Sequence, residues 1–383
     1  MVWLKRRGTW TLRLVTAVSA VVAVAACGAA GMDDGGSGDS GGREAKYKRV
    51  IEDPHPQPAD VLEAAGAPTG VARADDGSLL LSYDVLNVED DEGPAAFAWR
   101  IVGPDGRTVA EHAEHGNAEA TRTAFKGVSG GFVRVPSGEG ADGAYLLDVG
   151  GKRHKVAVTD TPMRTRPGDI LLAELEPTLV YRPATRTVAP PAGVPDDAIL
   201  HAVDERGTVW SLEQFLTDEP NRVVWQRDGR TLGSRAVPKA YSDAGGILVA
   251  KGGTAALSLT RSEDVRGLLV TTDDGGHWQT VLDGGIPWKA LKGGSVSLVL
   301  ELLTDGRLLV GEEGGRYWLA DDRTNRAFHE LKTPARFTSF AVDGTTLYGI
   351  ADATTSTYGL VKGEGLWISH DGGRAWKQHK QRR

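Results

Sequence analysis

The stretch ISHDGGRAWKQH, residues 368–379, places Ser369, Asp371, Gly373 and Trp376 in the spacing S-x-D-x-G-x-x-W. TTDDGGHWQT, residues 271–280, repeats that spacing with Thr271, Asp273, Gly275 and Trp278. The two aspartates are 98 residues apart, and Asp322 stands midway, 49 from each. Its surroundings, RYWLADDRTNRAFHEL (316–331), are a degenerate copy. Aligning Trp318 with Trp367 sets Ala320 on Ser369 and Asp322 on Asp371, with Phe328 near the Trp376 position. A period in the forties with strand-turn-strand content is the mark of a β-propeller blade.

The beat runs upstream more faintly. Its marks are Trp99, Leu147, Tyr181, Trp225, Leu269, Trp318 and Trp367, at intervals of 48, 34, 44, 44, 49 and 49 residues. Each mark lies in an apolar-alternating run followed by a Gly- or Asp-rich turn and a second run, which is hairpin chemistry. An Asp-Gly turn before an apolar strand also recurs, at ADDGSLLLSYD (74–84), LTDGRLLVGEE (303–313) and VDGTTLYGIAD (342–352). The pattern predicts an all-β chain, a propeller of seven blades, with six or eight left open. One helix-like stretch of a turn or two is expected at 59–67, and a strand near 46–51 is one way to close the ring.

The repeated phrase resembles the Asp-box of the sialidase-like (BNR) propellers and of the related photosystem-assembly-factor and sortilin-type propellers. The strong matches cover two segments of about a dozen residues. The resemblance implies a structural role for Thr271, Asp273, Gly275, Trp278, Asp322, Ser369, Asp371, Gly373 and Trp376. The carboxylate and hydroxyl would bind local backbone N–H groups. Glycine would relieve a crowded backbone position, and tryptophan would pack into the blade. A sialidase would also need three convergent arginines, one of them in a Phe/Tyr-Arg-Ile-Pro motif. The nearest match, Trp99-Arg100-Ile101, is followed by Val102 instead of proline and reads as an outer hairpin. No catalytic residue is assigned. Other glycosidases need two carboxylates at a set separation, and 51 acidic residues offer too many pairs to choose among.

The single cysteine, Cys27, excludes an internal disulfide framework. It follows a basic segment (Lys5, Arg6, Arg7, Arg13), a short apolar run at 14–26 and the small residues Ala25 and Ala26. That order resembles the lipobox of bacterial lipoproteins, which implies diacylglyceryl transfer to Cys27 and cleavage before it. Residues 1–26 read as a lipoprotein signal peptide and 27–45 as a lipidated cysteine with a flexible Gly/Ser/Asp-rich tether. Residues 46–383 read as the propeller. Arg6-Arg7 leaves the export route open between general secretion and the twin-arginine path. The chain is net −7, and more acidic still without its basic leader, which argues against nucleic-acid binding.

Other motifs are weak. His112 and His115 are expected in a solvated loop, and the acidic run VEDDEG (88–93) lacks the pattern of a calcium loop. No metal site or cofactor is expected, and no G-x-x-x-x-G-K-[ST] or G-x-S-x-G motif occurs. Trp210, Tyr241 and Trp288 fall off the beat and are aromatics to watch. The expectation is a monomeric lipoprotein on the outer face of the cytoplasmic membrane. It acts as a non-catalytic platform for a protein partner or an envelope glycan. A sialidase-like exo-glycosidase is the alternative.

Overall fold

A computed structural model describes residues 40–86, 94–117, 125–134, 144–172, 178–194, 198–214, 220–241, 246–262, 264–291, 298–312, 315–337, 339–351 and 365–379. Cys27 and the acidic run 88–93 lie outside them. Within the described residues seven four-stranded sheets follow one another along the chain. They are the blades of a β-propeller, at 70–117, 125–155, 157–189, 198–236, 248–281, 298–330 and 339–378.

Six blades run in chain order from inner to outer strand. Blade three does not. Its outermost strand, Ala157–Val158, precedes the other three in sequence and pairs parallel with Thr187–Ala189. This explains the short interval in the beat. Tyr181 lies on the second strand of its blade, whereas the other six marks lie on third strands.

The core sits between blades, where the two faces of each sheet are covered by its neighbours. Tryptophans 210 and 225 of blade four stack at 5.4 Å and face Ala255, Leu257 and Leu269 of blade five. Trp318 and Val310 of blade six meet Val270 and Leu268 of blade five in the same way. Apolar clusters of this kind occupy six of the seven seams among the described residues. The seam between blades three and four buries Val180, Ala189, Val209 and Val224 outside those clusters and is also tied by polar contacts. Thr165 Oγ1 donates to Gly207 O at 2.7 Å, and the Gly168 amide donates to Glu205 O at 3.2 Å.

The ring closes without strand exchange, since blades one and seven each use one continuous segment. Two helices cover the closing seam: α1 (Ser40–Glu52) and α2 (Pro58–Ala65). Residues 46–51 are therefore helical and add no strand to blade seven. The reason lies in spacing: Tyr47, Val50 and Ile51 stand at i, i+3 and i+4, which gathers them on one helix face. With Val61 and Leu62 they pack on Leu81, Tyr83 and Val85 of blade one and Tyr348, Ile350 and Leu366 of blade seven. The Tyr47 hydroxyl donates to Leu86 O.

Candidate functional site

The boxes are turns between the third and fourth strands of blades five, six and seven. In blade five, Thr271 Oγ1 donates to Asp273 Oδ1 at 3.0 Å and accepts from the Gly275 amide at 3.1 Å. Asp273 Oδ1 also accepts the His277 amide at 2.8 Å. In blade seven the same roles fall to Ser369, which donates to Asp371 at 2.8 Å and accepts the Gly373 amide at 2.8 Å. Asp371 Oδ1 accepts the Ala375 amide at 2.9 Å. Gly275 and Gly373 adopt φ of 85° and 87°, where a side chain is strained. The His277 imidazole and amide hold the Asp273 carboxyl down to about 2. The Ala375 amide, then the Ser369 hydroxyl, lower Asp371.

The tryptophans reach into the preceding seam. Trp278 packs edge-on against Trp210 at 6.0 Å, and Trp376 lies 4.9 Å from Phe337. Trp376 Nε1 donates to Gly373 O at 3.1 Å, while Trp278 Nε1 is buried without a partner. The blade-six copy is built differently. Ala320 has no hydroxyl to offer, and the Asp322 carboxylate accepts the Thr324 hydroxyl at 2.5 Å and the Thr324 amide at 2.8 Å. Asn325, fully buried, does the tying: its Oδ1 accepts the Leu308 amide at 2.8 Å and its Nδ2 donates to Gly306 O at 2.9 Å. The sequence signal for it is an asparagine in a turn, at φ 55°.

The turns between first and second strands join neighbouring blades. Asp75 accepts from Ser129 Oγ at 2.8 Å and from the Gly130 amide at 3.1 Å. Glu205 accepts the Gly252 amide at 2.6 Å, and Arg206 grips both oxygens of Asp274 at 2.7 and 2.6 Å. The Thr304 amide donates to Gly344 O at 3.3 Å, and Arg73 meets Asp343 at 2.5 Å across the closing seam.

Two places hold chemistry that these ties do not consume. The first is the seam of blades one and two. Asp84 is partly buried, and its Oδ1 is fully buried with no hydrogen-bond partner among the described residues. Burial pushes its carboxyl up to about 6, against the pull of the Thr69 hydroxyl and the Arg134 charge. Arg134 is itself buried, bonded to Glu114 and, at 3.1 Å, to the Tyr145 hydroxyl, and lies 5.0 Å over the Phe97 ring. Burial works to raise Glu114, but the His112 hydrogen bond and the charges of Arg134 and Arg153 prevail and bring it to about 2.

The second is the outer rim of blades four and five. The outermost strand of blade four, Arg230–Ala236, is exposed at every position except Gly233. Five residues past that strand in the chain, Tyr241 lines a depression of about 470 Å³ with Arg261, Ser262, Arg266 and Leu282. Leu232 and Leu282 are 52% and 49% exposed.

The remaining sequence candidates resolve as follows. His112 and His115 are on the outer strand Thr108–Asn117 of blade one, not in a loop. A bulged pairing with Pro94–Val102 carries that strand on to Asn117. His112 stacks on Trp99 at 5.6 Å and His115 Nε2 contacts Ile51 O at 3.0 Å. Arg100 lies on the outer hairpin, bonded to Glu111 at 2.6 Å. Trp210 and Trp288 are buried between blades, and Tyr241 is half-buried at the rim. Among the described residues no group of three or more His, Cys, Asp or Glu is arranged to hold a metal. No described helix is long and apolar enough to cross a membrane.

No protein-family description matches the chain, and no curated protein matches it. Solved structures similar to it include a puromycin-hydrolyzing peptidase of Mycobacterium tuberculosis, at 16% identity and a TM-score of 0.47. That likeness covers 85% of this chain and 55% of the peptidase, so the chain spans little more than half of that protein's length. AztD from Citrobacter koseri matches at 12% identity and TM-score 0.39, over 80% of this chain and 83% of AztD. YCF48 bound to D1 peptide matches at 16% and 0.33, over 61% of this chain and 64% of YCF48. Likenesses at this level transfer no activity. The strand order itself makes the chain a seven-bladed β-propeller.

Proposed function

We propose that this protein is a lipid-anchored, extracytoplasmic β-propeller that serves as a non-catalytic binding platform for a protein partner. The observation that supports this reading most is the joining of neighbouring blades, turn to turn, at the inner hairpins. Such a ring presents surface without having to order itself on binding, which lowers the entropic penalty of association. The box carboxylates are occupied by their own turns, so they serve the scaffold and not a substrate. The anchor is Cys27 with its preceding apolar run and small residues, and stable attachment needs more than one acyl chain.

The test is capture of the full-length protein from crosslinked native membranes, beside Cys27→Ser. A reproducible protein partner seen with the anchored form alone is the expected result. Recovery of Cys27→Ser in the membrane fraction without acyl chains overturns the anchor. Absence of any partner above the control overturns the platform.

A further inference from the structure

The outer strand of blade four differs from its counterparts. Those of blades two, three, five, six and seven are two or three residues long. That of blade one is long, but His115 reaches Ile51 O and Ala113 packs against the helix cluster. Arg230–Ala236 runs seven residues with one edge paired to Arg222–Arg227 and, among the described residues, no strand on the other edge. An open edge of this length offers unpaired backbone N–H and C=O groups to another extended chain.

Its side chains say which chain. The strand reads Arg-Thr-Leu-Gly-Ser-Arg-Ala, with two bases and no acid, on a protein of net charge −7. Lys239 follows the strand in the chain, and Arg261 and Arg266 line the depression with Tyr241; Asp264 holds Arg266 at 2.5 Å, while Arg230, Arg235 and Arg261 stay exposed. Two copies meeting edge to edge would set arginine near arginine, which like-charge repulsion opposes. Leu232 is the extra residue at a register shift against Trp225 and Gln226. The bulge leaves Gly233–Ala236 as the regular stretch and turns Leu232 outward.

We infer that the Arg230–Ala236 edge is where this protein adds an extended, acidic segment of its partner as a fifth strand of blade four. The segment's backbone pairs with Gly233–Ala236, its carboxylates meet Arg230 and Arg235, and an apolar residue settles beside Leu232. Its end reaches the depression lined by Tyr241, Arg261 and Leu282. This inference rests on the platform reading and gives it a partner class.

The experiment uses the full chain in detergent and a fluorescein-labelled peptide, Glu-Val-Glu-Val-Glu-Val, read by anisotropy. The lysine-for-glutamate peptide and a backbone N-methylated copy serve as controls. Saturable binding of the acidic peptide alone is expected, weakening as salt rises from about 50 to about 300 mM. Arg230→Glu with Arg235→Glu should weaken it about tenfold or more with the melting temperature unchanged. Arg374→Glu, on an exposed turn of blade seven, should leave it intact. Equal binding by the N-methylated copy, or by the double charge reversal, overturns the inference, as does no saturable binding at millimolar peptide. A membrane partner retained by the double charge reversal would sink this surface while leaving the platform standing. Peptide binding with no partner in the membranes would do the reverse.

Discussion

Asp371 commits one carboxylate oxygen to its own turn. That oxygen takes the Ser369 hydroxyl and the Ala375 amide together. Asp371→Ala should therefore lower stability by about 1–2 kcal/mol, the usual effect of losing a turn-capping acceptor, measured by denaturant unfolding. An unchanged midpoint would mean that the turn holds itself. Asp84 works in the opposite direction. Its carboxyl titrates at about 6 in the fold and at 3.8 when free. The folded chain thus keeps a proton that the unfolded chain has released. Stability from this group is full below its free value and is lost as pH rises through about 6. Asp84→Asn should gain on the wild type by about 2 kcal/mol between about pH 4 and pH 7. A difference that does not vary with pH would show that the charge is fully compensated. Arg134 opposes that rise and is itself bonded to Glu114 and the Tyr145 hydroxyl. None of this is visible in sequence, because residues 84, 114 and 134 meet only once two blades face each other.

Elements were easier to read where the chain repeats itself. Trp99, Leu147, Trp225, Leu269, Trp318 and Trp367 mark third strands, and each packs into an apolar seam beside its blade. Tyr181 slips to a second strand because blade three takes its outer strand from the chain before it. The order of strands within a sheet leaves no mark on local pattern, so no period can disclose it. Helix α1 was hidden for another reason. Its apolar residues alternate with lysines closely enough to imitate a strand, and only the longer spacing to Ile51 betrays the helix. Its partner helix α2 buries Val61, Leu62 and Ala64. Leu62→Ala should cost about 2–4 kcal/mol and raise amide exchange in blades one and seven together. A loss confined to α2 itself would show that the helices decorate the closing seam without holding it.

At the scale of the molecule, the seven seams are not equal. Among the described residues six are lined by apolar clusters, and burial at roughly 25 cal/mol per Å² favours each. The seam of blades three and four buries the smaller Val180, Ala189, Val209 and Val224, tied by Thr165, Gly168, Glu205 and Gly207, with Arg182 and Asp169 bonded close by at 2.6 Å. Small side chains bury less apolar area, and individual hydrogen bonds contribute about 1 kcal/mol net, so this seam should open first. Hydrogen exchange under native conditions should find the amides of Gly168 and Gly207 less protected than those of Leu257 or Leu309. Uniform protection around the ring would contradict that ranking.

Helix α1 is both the first described element and half of the clasp over the closing seam. Anything that pulls on the chain ahead of Ser40 therefore loads the clasp before it loads any blade. Tension peels α1 away from Tyr348 and Leu366, so the wheel parts between its first and last blades while the other seams stay shut. Under the anchored reading proposed above, that clasp is a mechanical fuse placed where the leash is tied.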